Sequence, residues 1–517
     1  MKTAKKIASL LLALVMVACL ATTAFAADAV LSDHTYTAYQ IFSGTQAKED
    51  NEGKLASIEW GTGVNKDTIL GPIQSDETIG DLFKDCKTAT DVANVLANYA
   101  DKPEVANAFA AVIDANKSGT GTIVTNGTEL SAGYYLIVDT TDFAEGATDT
   151  VKNLSLLQLT QKGEFTIENK TDVPEVQKKV KDINDSDANS TTDWQDSADY
   201  DIGDKIPFQL KGTVASDYDN YEKYYFAFHD DESEGLDVDI SSIEVFVDGT
   251  KITGGFEIET TGLSDNCDFE IVFADLKSIS SVKAGSAITV EYQSTLNEKA
   301  EIGPKGNPNT VQLEYSNNSN SGGDGETGKT PKDKVIVFTY ELDVSKVDQE
   351  NAPLKGAGFT LYKYTINGVE RTDEKGETIT SEGVPVMTDG WVAVGGEVKG
   401  EDLTTFVFKG LDDGKYKLVE TTIPAGYNKA DEVEFTITAE HDETSEDPKL
   451  TALAVTVSSI SADVNSGVLI TAVVNKAGTT LPETGGMGTT LFYVVGGIMV
   501  AAAVVLLVTK RRMNTAE

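Results

Sequence analysis

Cysteine and histidine are almost missing from this chain: 517 residues hold three of each, the histidines being His34, His229 and His441. A disulfide framework and the Cys/His spacings of a zinc site are therefore not expected, and no metal is assigned. Basic residues are also short, with 42 Lys and Arg against 83 Asp and Glu and a formal net charge of −41. Such a surface cannot replace the counterions of a polyanion, which excludes nucleic acid as a partner. No phosphate-cradling glycine loop and no usual nucleophile and base constellation is present, so neither a cofactor nor an enzymatic activity is expected. The acidic stretch Asp230-Asp231-Glu232-Ser233-Glu234 lacks the spacing and glycine of a calcium loop and reads as solvated surface. What is present is enough apolar material for folded cores, 40% of residues with 8% aromatic, in a length that allows about three to five domains.

The two ends carry processing signals. Lys2, Lys5 and Lys6 precede an apolar run from Ile7 to about Leu20 and the small residues Ala24-Phe25-Ala26, the three-part build of a secretory signal cleaved after Ala26. Val17-Ala18-Cys19 offers a degenerate lipoprotein box as the competing reading. At the other end, Leu491 to Val508 is an unbroken apolar run close to the lower limit for spanning a bilayer as a helix, and Lys510, Arg511 and Arg512 follow it. Just before it stands Leu481-Pro482-Glu483-Thr484-Gly485. Motif, apolar helix and basic tail together resemble the cell-wall sorting signal of Gram-positive surface proteins. That resemblance implies a sortase whose thiolate attacks the Thr484 carbonyl, releases Gly485 onward and passes the acyl group to an amine. The mature chain would then run from Ala27 to Thr484, outside the cell, with only Cys86 and Cys267 left and no disulfide between them.

Between these ends the chain reads as short alternating strands, as in Ser242 to Asp248, Asp268 to Phe273 and Glu432 to Thr438, the pattern of β-sandwiches. Glu164-Phe165-Thr166-Ile167-Glu168 is read as a further strand. An alanine-rich patch from about Thr88 to Ala115 reads as two helices broken near Pro103. The stretch Asn317 to Lys332 has no apolar residue and reads as a linker. The expected division is a signal peptide over 1–26, modules over 27–172, 173–318 and 333–477 with a linker at 319–332, and the sorting signal over 478–517.

A secreted chain without disulfides needs another staple, and the period of two along strands points to one. Leu342, Val344 and Lys346 share a face, as do Tyr416, Leu418 and Glu420, and Leu469, Thr471, Val473 and Asn475. A lysine on an apolar face is costly to bury charged; desolvated, its neutral amine can attack an asparagine amide while a protonated carboxyl relays protons. The stretch Lys417-Leu418-Val419-Glu420-Thr421-Thr422-Ile423-Pro424-Ala425-Gly426-Tyr427 resembles the E-box of Gram-positive pilins. In that family a Glu promotes a Lys–Asn isopeptide bond inside an immunoglobulin-like Cna B-type domain, which implies Lys346, Glu420 and Asn475 here.

The second module repeats the pattern. Lys178 is in phase with Val176 and Val180, Asp230 with Phe226 and Phe228, and Asn309 with Val311, Leu313 and Tyr315; Asn317, in the same register, is the second choice. This region resembles the fimbrial isopeptide domain of shaft pilins. The first module has no lysine before Lys48, so no staple is expected there. Shaft pilins also join the incoming threonine to a pilin-motif lysine at the end of the first domain. Phe165 to Thr171 puts Lys170 in that place, although Glu168-Asn169 stands where the family has Tyr-Pro; Lys162, Lys178 and Lys179 remain alternatives. The resemblance implies a mainly β fold of tandem Cna B-type sandwiches in a covalently polymerised, cell-wall-attached pilus shaft subunit. Its partners would be sortase, identical subunits and peptidoglycan, with accessory pilins and a host receptor left open. The alternative is a monomeric or minor-pilin adhesin on the same anchor.

Overall fold

The computed structural model describes residues 34–47, 54–125, 127–144, 146–152, 154–163, 172–187, 191–263, 265, 267–319, 326–373, 375–381, 384–478 and 487–513. The signal peptide, the strand expected at 164–168, Lys170 and the Leu481 to Gly485 motif lie outside them. In the first module β1 (Tyr36–Gln46) is the central strand. It pairs antiparallel with β2 (Leu55–Trp60), β3 (Thr122–Val124) and β4 (Gly133–Asp139), and β5 (Leu154–Leu159) closes the sheet beside β4. Four helices, α1 (Leu70–Ser75), α2 (Gly80–Phe83), α3 (Ala89–Asn98) and α4 (Pro103–Ala115), pack on one face, where Val92, Phe109 and Ile113 meet Ile41, Phe42 and Leu136. The helical patch is thus two helices as expected. Thr88 and Asp91 form a reciprocal capping box at the start of α3, and Pro103 opens α4, where its missing N–H costs nothing.

The second module is a two-sheet sandwich. One sheet has the order β11 (Thr250–Ile252), β10 (Leu236–Val247), β14 (Ala287–Leu296), β8 (Lys205–Thr213), β6 (Glu175–Val180). The other runs β12 (Glu257–Glu259), β13 (Phe269–Phe273), β9 (Phe226–Glu232), β15 (Asn307–Ser316), β17 (Asp333–Phe338), β7 (Ser197–Asp199), with β16 (Thr327–Lys329) also on β15. Strict alternation builds the core: every second residue of β14 from Ile288 to Leu296 is buried, and Tyr292 meets Phe208 and Phe269 in ring contacts. Each such apolar side chain contributes about 1.5–3 kcal/mol of burial.

In the third module β18 (Tyr340–Asp348) lies between β24 (Thr405–Leu411) and β29 (Val468–Asn475), with β28 (Ile460–Asp463) at the edge. Facing it are β22 (Met387–Ala393), β19 (Gly358–Glu370), β25 (Gly414–Thr422), β26 (Val433–His441) and β27 (Leu450–Val455), with β23 (Val398–Lys399) beside β19; β20 (Thr380–Ser381) and β21 (Val384–Pro385) form a small separate hairpin. The first and last strands, β18 and β29, pair in parallel with Lys346 opposite Val473 and Asp348 opposite Asn475.

Two expectations are corrected. The linker expected over 319–332, and with it the boundary at 333, is displaced. β16 and β17 both add to β15, and Val335 and Val337 enter the second core, so that sandwich closes only at Phe338. The stretch from Asp230 to Glu234 is solvated surface only in part: Asp231 and Glu234 are exposed, but Asp230 is fully buried near the end of β9 and Glu232 is half-buried. Helix α5 (Met487–Met513) forms over the C-terminal apolar run, and its side chains described from Tyr493 to Val508 are mostly exposed. Among the described residues no helix is long and apolar enough to cross a membrane.

Candidate functional site

In the second module the sequence-selected triplet comes together across the sandwich. β6 brings Lys178 from one sheet, and β9 and β15 bring Asp230 and Asn309 from the other; all three are fully buried. Lys178 Nζ donates to Asp230 Oδ2 at 2.5 Å and to Tyr292 Oη at 3.0 Å. The Tyr292 hydroxyl lies 3.1 Å from each Asp230 oxygen, and Asn309 Nδ2 donates to it at 2.9 Å and to Glu232 Oε1 at 2.8 Å. Asn309 Oδ1 has no hydrogen-bond partner among the described residues.

Burial dominates the electrostatics of this cluster. It pulls the Lys178 ammonium below its ordinary value, against the attraction of Asp230, and pushes the Asp230 carboxyl up, against the attraction of Lys178. Both directions favour a neutral amine beside a protonated acid. Glu232 is likewise raised to about 8, by burial first and then by Asp230. Asn317, the second choice, is held elsewhere: its Nδ2 donates to Thr150 Oγ1 at 3.1 Å. Tyr292 and Glu232 are the members that strand periodicity did not single out. A signal existed for Tyr292, because the alternation of β14 turns it inward and a buried phenol needs a polar partner.

The third module assembles its triplet differently. Lys346 is buried on β18, Glu420 on β25 of the facing sheet and Asn475 at the end of β29. Lys346 Nζ donates to the carbonyls of Val347 at 2.9 Å and Val473 at 3.0 Å. Asn475 Nδ2 donates to both Glu420 oxygens, at 2.8 and 3.1 Å, and Glu420 Oε2 also accepts from the Ala430 amide at 2.8 Å. Asn475 Oδ1 has no hydrogen-bond partner among the described residues. Burial depresses the Lys346 ammonium, and the charges of Glu420 and Asp348 oppose that shift. The parallel register sets Asn475 two residues beyond the Val473 that faces Lys346, the diagonal spacing at which long side chains on one face reach each other.

Of the lysines proposed to accept an intersubunit bond, Lys170 lies outside the described residues. Lys162 is exposed and 2.6 Å from Glu129 Oε2, Lys179 is paired with Asp196, and Lys178 is fully buried against Asp230.

A model of the SpaA prealbumin-like fold domain matches residues 340–449, and one of the LPXTG cell wall anchor motif matches residues 473–515. The trypsin-resistant surface T6 protein of Streptococcus pyogenes serotype M6 is 26% identical over 284 residues, 50% of this chain and 44% of that protein, so the match spans less than half the relative's length. Among solved structures, the three-domain T6 backbone pilin of Streptococcus pyogenes aligns with a TM-score of 0.45 at 18% identity, covering 86% of this chain and 96% of the other. The full-length major pilin SpaD of Corynebacterium diphtheriae aligns with a TM-score of 0.41 at 16% identity, covering 86% and 93%. The chain carries a prealbumin-like SpaA domain and an LPXTG cell wall anchor motif, which mark a cell-wall-attached surface protein, and over half its length it is similar in sequence to the streptococcal T6 surface protein.

Proposed function

We propose that this chain is the shaft subunit of a covalently polymerised surface pilus, stapled internally by two Lys–Asn isopeptide bonds. The observation that carries the reading is the pair of buried Lys, carboxyl and Asn clusters in a chain that ends in a sorting motif. In each module the neutral lysine amine attacks the asparagine Cγ, and the new N–C bond replaces the amide C–N bond. The neighbouring acid hydrogen-bonds the developing oxyanion and passes a proton to the departing ammonia. In the second module the product ties the two sheets together, and in the third it ties the first strand to the last.

Sortase supplies the links between subunits. Its thiolate takes the acyl group of Thr484, and a lysine amine of the next subunit, assigned to Lys170, resolves the thioester; peptidoglycan takes the last acyl group. Immunoblots of cell-wall extracts test the proposal. The unmodified strain is expected to give a ladder of very high mass, Lys170→Ala only wall-bound monomer, and Thr484→Ala neither ladder nor wall linkage. A single monomer band from the unmodified strain would return the chain to the monomeric adhesin reading.

A further inference from the structure

His229 stands one residue before Asp230 on β9, so its ring leaves the opposite face of the sheet. It is 4% exposed. Its Nδ1 is 2.9 Å from Asp265 Oδ2 and 3.2 Å from Glu270 Oε1, yet neither ring nitrogen makes a hydrogen bond of acceptable geometry among the described residues. Cys267 Sγ lies 3.7 Å from the same Glu270 oxygen. One donor atom from each of His229, Asp265, Cys267 and Glu270 falls within 4.8 Å of all the others, and His229, Asp265 and Cys267 line a small pocket. Glu270 faces His229 directly in the β9–β13 ladder, while Asp265 and Cys267 come from the segment between β12 and β13.

An imidazolium held by carboxylates would aim its N–H groups at their oxygens. Here the separations are short but misdirected, which is how ligands around a common centre look. Bonds of about 2.0–2.3 Å to tetrahedral N, O and S ligands place those ligands roughly 3.3–3.7 Å from one another, and Glu270 Oε1 stands 3.2 Å from His229 Nδ1 and 3.7 Å from Cys267 Sγ. A mixed N, S and O donor set suits a borderline-soft cation and not calcium or magnesium, which take oxygen alone. On its far side Nε2 faces Glu314 Oε2 at 3.2 Å, again without a hydrogen bond of acceptable geometry, which leaves Nδ1 as the nitrogen turned toward the cluster. Lys329, 3.2 Å from Asp265 and 3.5 Å from Glu314, offsets part of the negative charge.

We propose that His229 Nδ1, Asp265, Cys267 and Glu270 bind one zinc-class divalent cation on the outer face of the second sandwich. The cation clips the segment before β13 to β9, and Cys267 gives up its thiol proton to solvent on binding. It would add a local cross-link to a strand that also carries Asp230, in a module without disulfides.

The secreted chain, stripped of metal by a chelator, is titrated with Co²⁺ as the spectroscopic probe. The expected result is a thiolate-to-cobalt absorption band that saturates at one equivalent, is bleached by Zn²⁺, is lost in Cys267→Ser and is kept in Cys86→Ser. Independently of any variant, one equivalent of Zn²⁺ should slow alkylation of Cys267 by iodoacetamide at least tenfold, read by peptide mass spectrometry. His229→Gln should weaken Co²⁺ binding by about tenfold or more. No thiolate band in the unmodified chain, a band that survives Cys267→Ser, or alkylation indifferent to Zn²⁺ would each overturn the site.

Discussion

A lysine side chain stays buried only where something removes its charge or answers it, and Lys178 and Lys346 meet that condition in different ways. Lys178 has a carboxyl and a phenol in reach, whereas Lys346 donates to two backbone carbonyls and Glu420 is bound to Asn475 instead. The secreted chain should therefore be lighter than its sequence by two molecules of ammonia. Intact mass should recover one of them in Glu420→Ala and the other in Asp230→Ala; full sequence mass in the unmodified chain would sink the staples. Losing either bond should also lower stability by about 2–4 kcal/mol, by analogy with another cross-link of the same topology. The residues of both triplets were legible because a strand has a period of two: phase with Val176 and Val180 was enough to choose Lys178 over Lys179 and Lys181. Glu232 was not legible. It shares a face with Asp230, but only the approach of Ser294 and Asn309 from other strands shows that its carboxyl turns inward.

β17 shows what composition cannot see at the scale of one element. The last four of its six residues, Val335, Ile336, Val337 and Phe338, are all buried, because Val335 and Val337 face the second core while Ile336 and Phe338 face the third. One strand thereby belongs to two modules, and a sequence reading that seeks a single boundary must cut it wrongly. The polar run before it was read as a linker for a related reason: β16 pairs with β15 through backbone groups at a sheet edge, where Thr327 and Lys329 need no apolar side chains. A fragment spanning residues 172–339 should accordingly melt well above one ending at residue 332. The shorter fragment loses two core valines, about 3–6 kcal/mol of burial at most, and leaves β15 with an open edge. Equal melting temperatures in calorimetry would place β17 outside the second cooperative unit. The two-helix reading of Thr88 to Ala115 succeeded for the opposite reason, since capping and proline effects are local and are written within one turn of the residues that cause them.

For the molecule as a whole the decisive surface is the joint between the second and third modules, where acidic side chains separated by more than two hundred residues in sequence converge. Lys363 of β19 donates to Asp201 at 2.5 Å and Asp412 at 2.9 Å, and Asp412 returns its backbone N–H to Asp201 at 2.9 Å. His441 lies 3.4 Å from Asp182 and 3.6 Å from Asp199, with Ser197 Oγ 2.8 Å from its Nδ1. The backbones touch at Gly303 and Gly467, both with positive φ; a Cβ on Gly467 would stand 2.2 Å from the Gly303 Cα. Nothing in the spacing of these residues announces the contact. Burial, followed by neighbouring aspartates, raises the carboxyls of Asp204 and Asp413 to about 7; Asp182, raised by burial and by Asp199 against the hydrogen bond from His441, reaches about 6. For an acid whose folded value lies above its unfolded one, the stability linked to it is complete below the unfolded value and is lost as pH rises through the folded one. These three groups therefore weaken the joint between about pH 4 and 7. Burial draws the His441 value down, but hydrogen bonds and charge from Asp182 and Asp199 lift it to about 10, so this cation keeps its charge through that window and does not offset the loss. The carboxylates of Asp265 and Glu314, held near about 2, titrate below it. The secreted chain should consequently melt several degrees lower at pH 8 than at pH 5.5, a loss of about 1–3 kcal/mol once screening is allowed for. Asp413→Asn should flatten that slope, since the amide cannot ionise, and a melting temperature that rises between these two pH values would show that the acidic joint is held ionised and compensated instead.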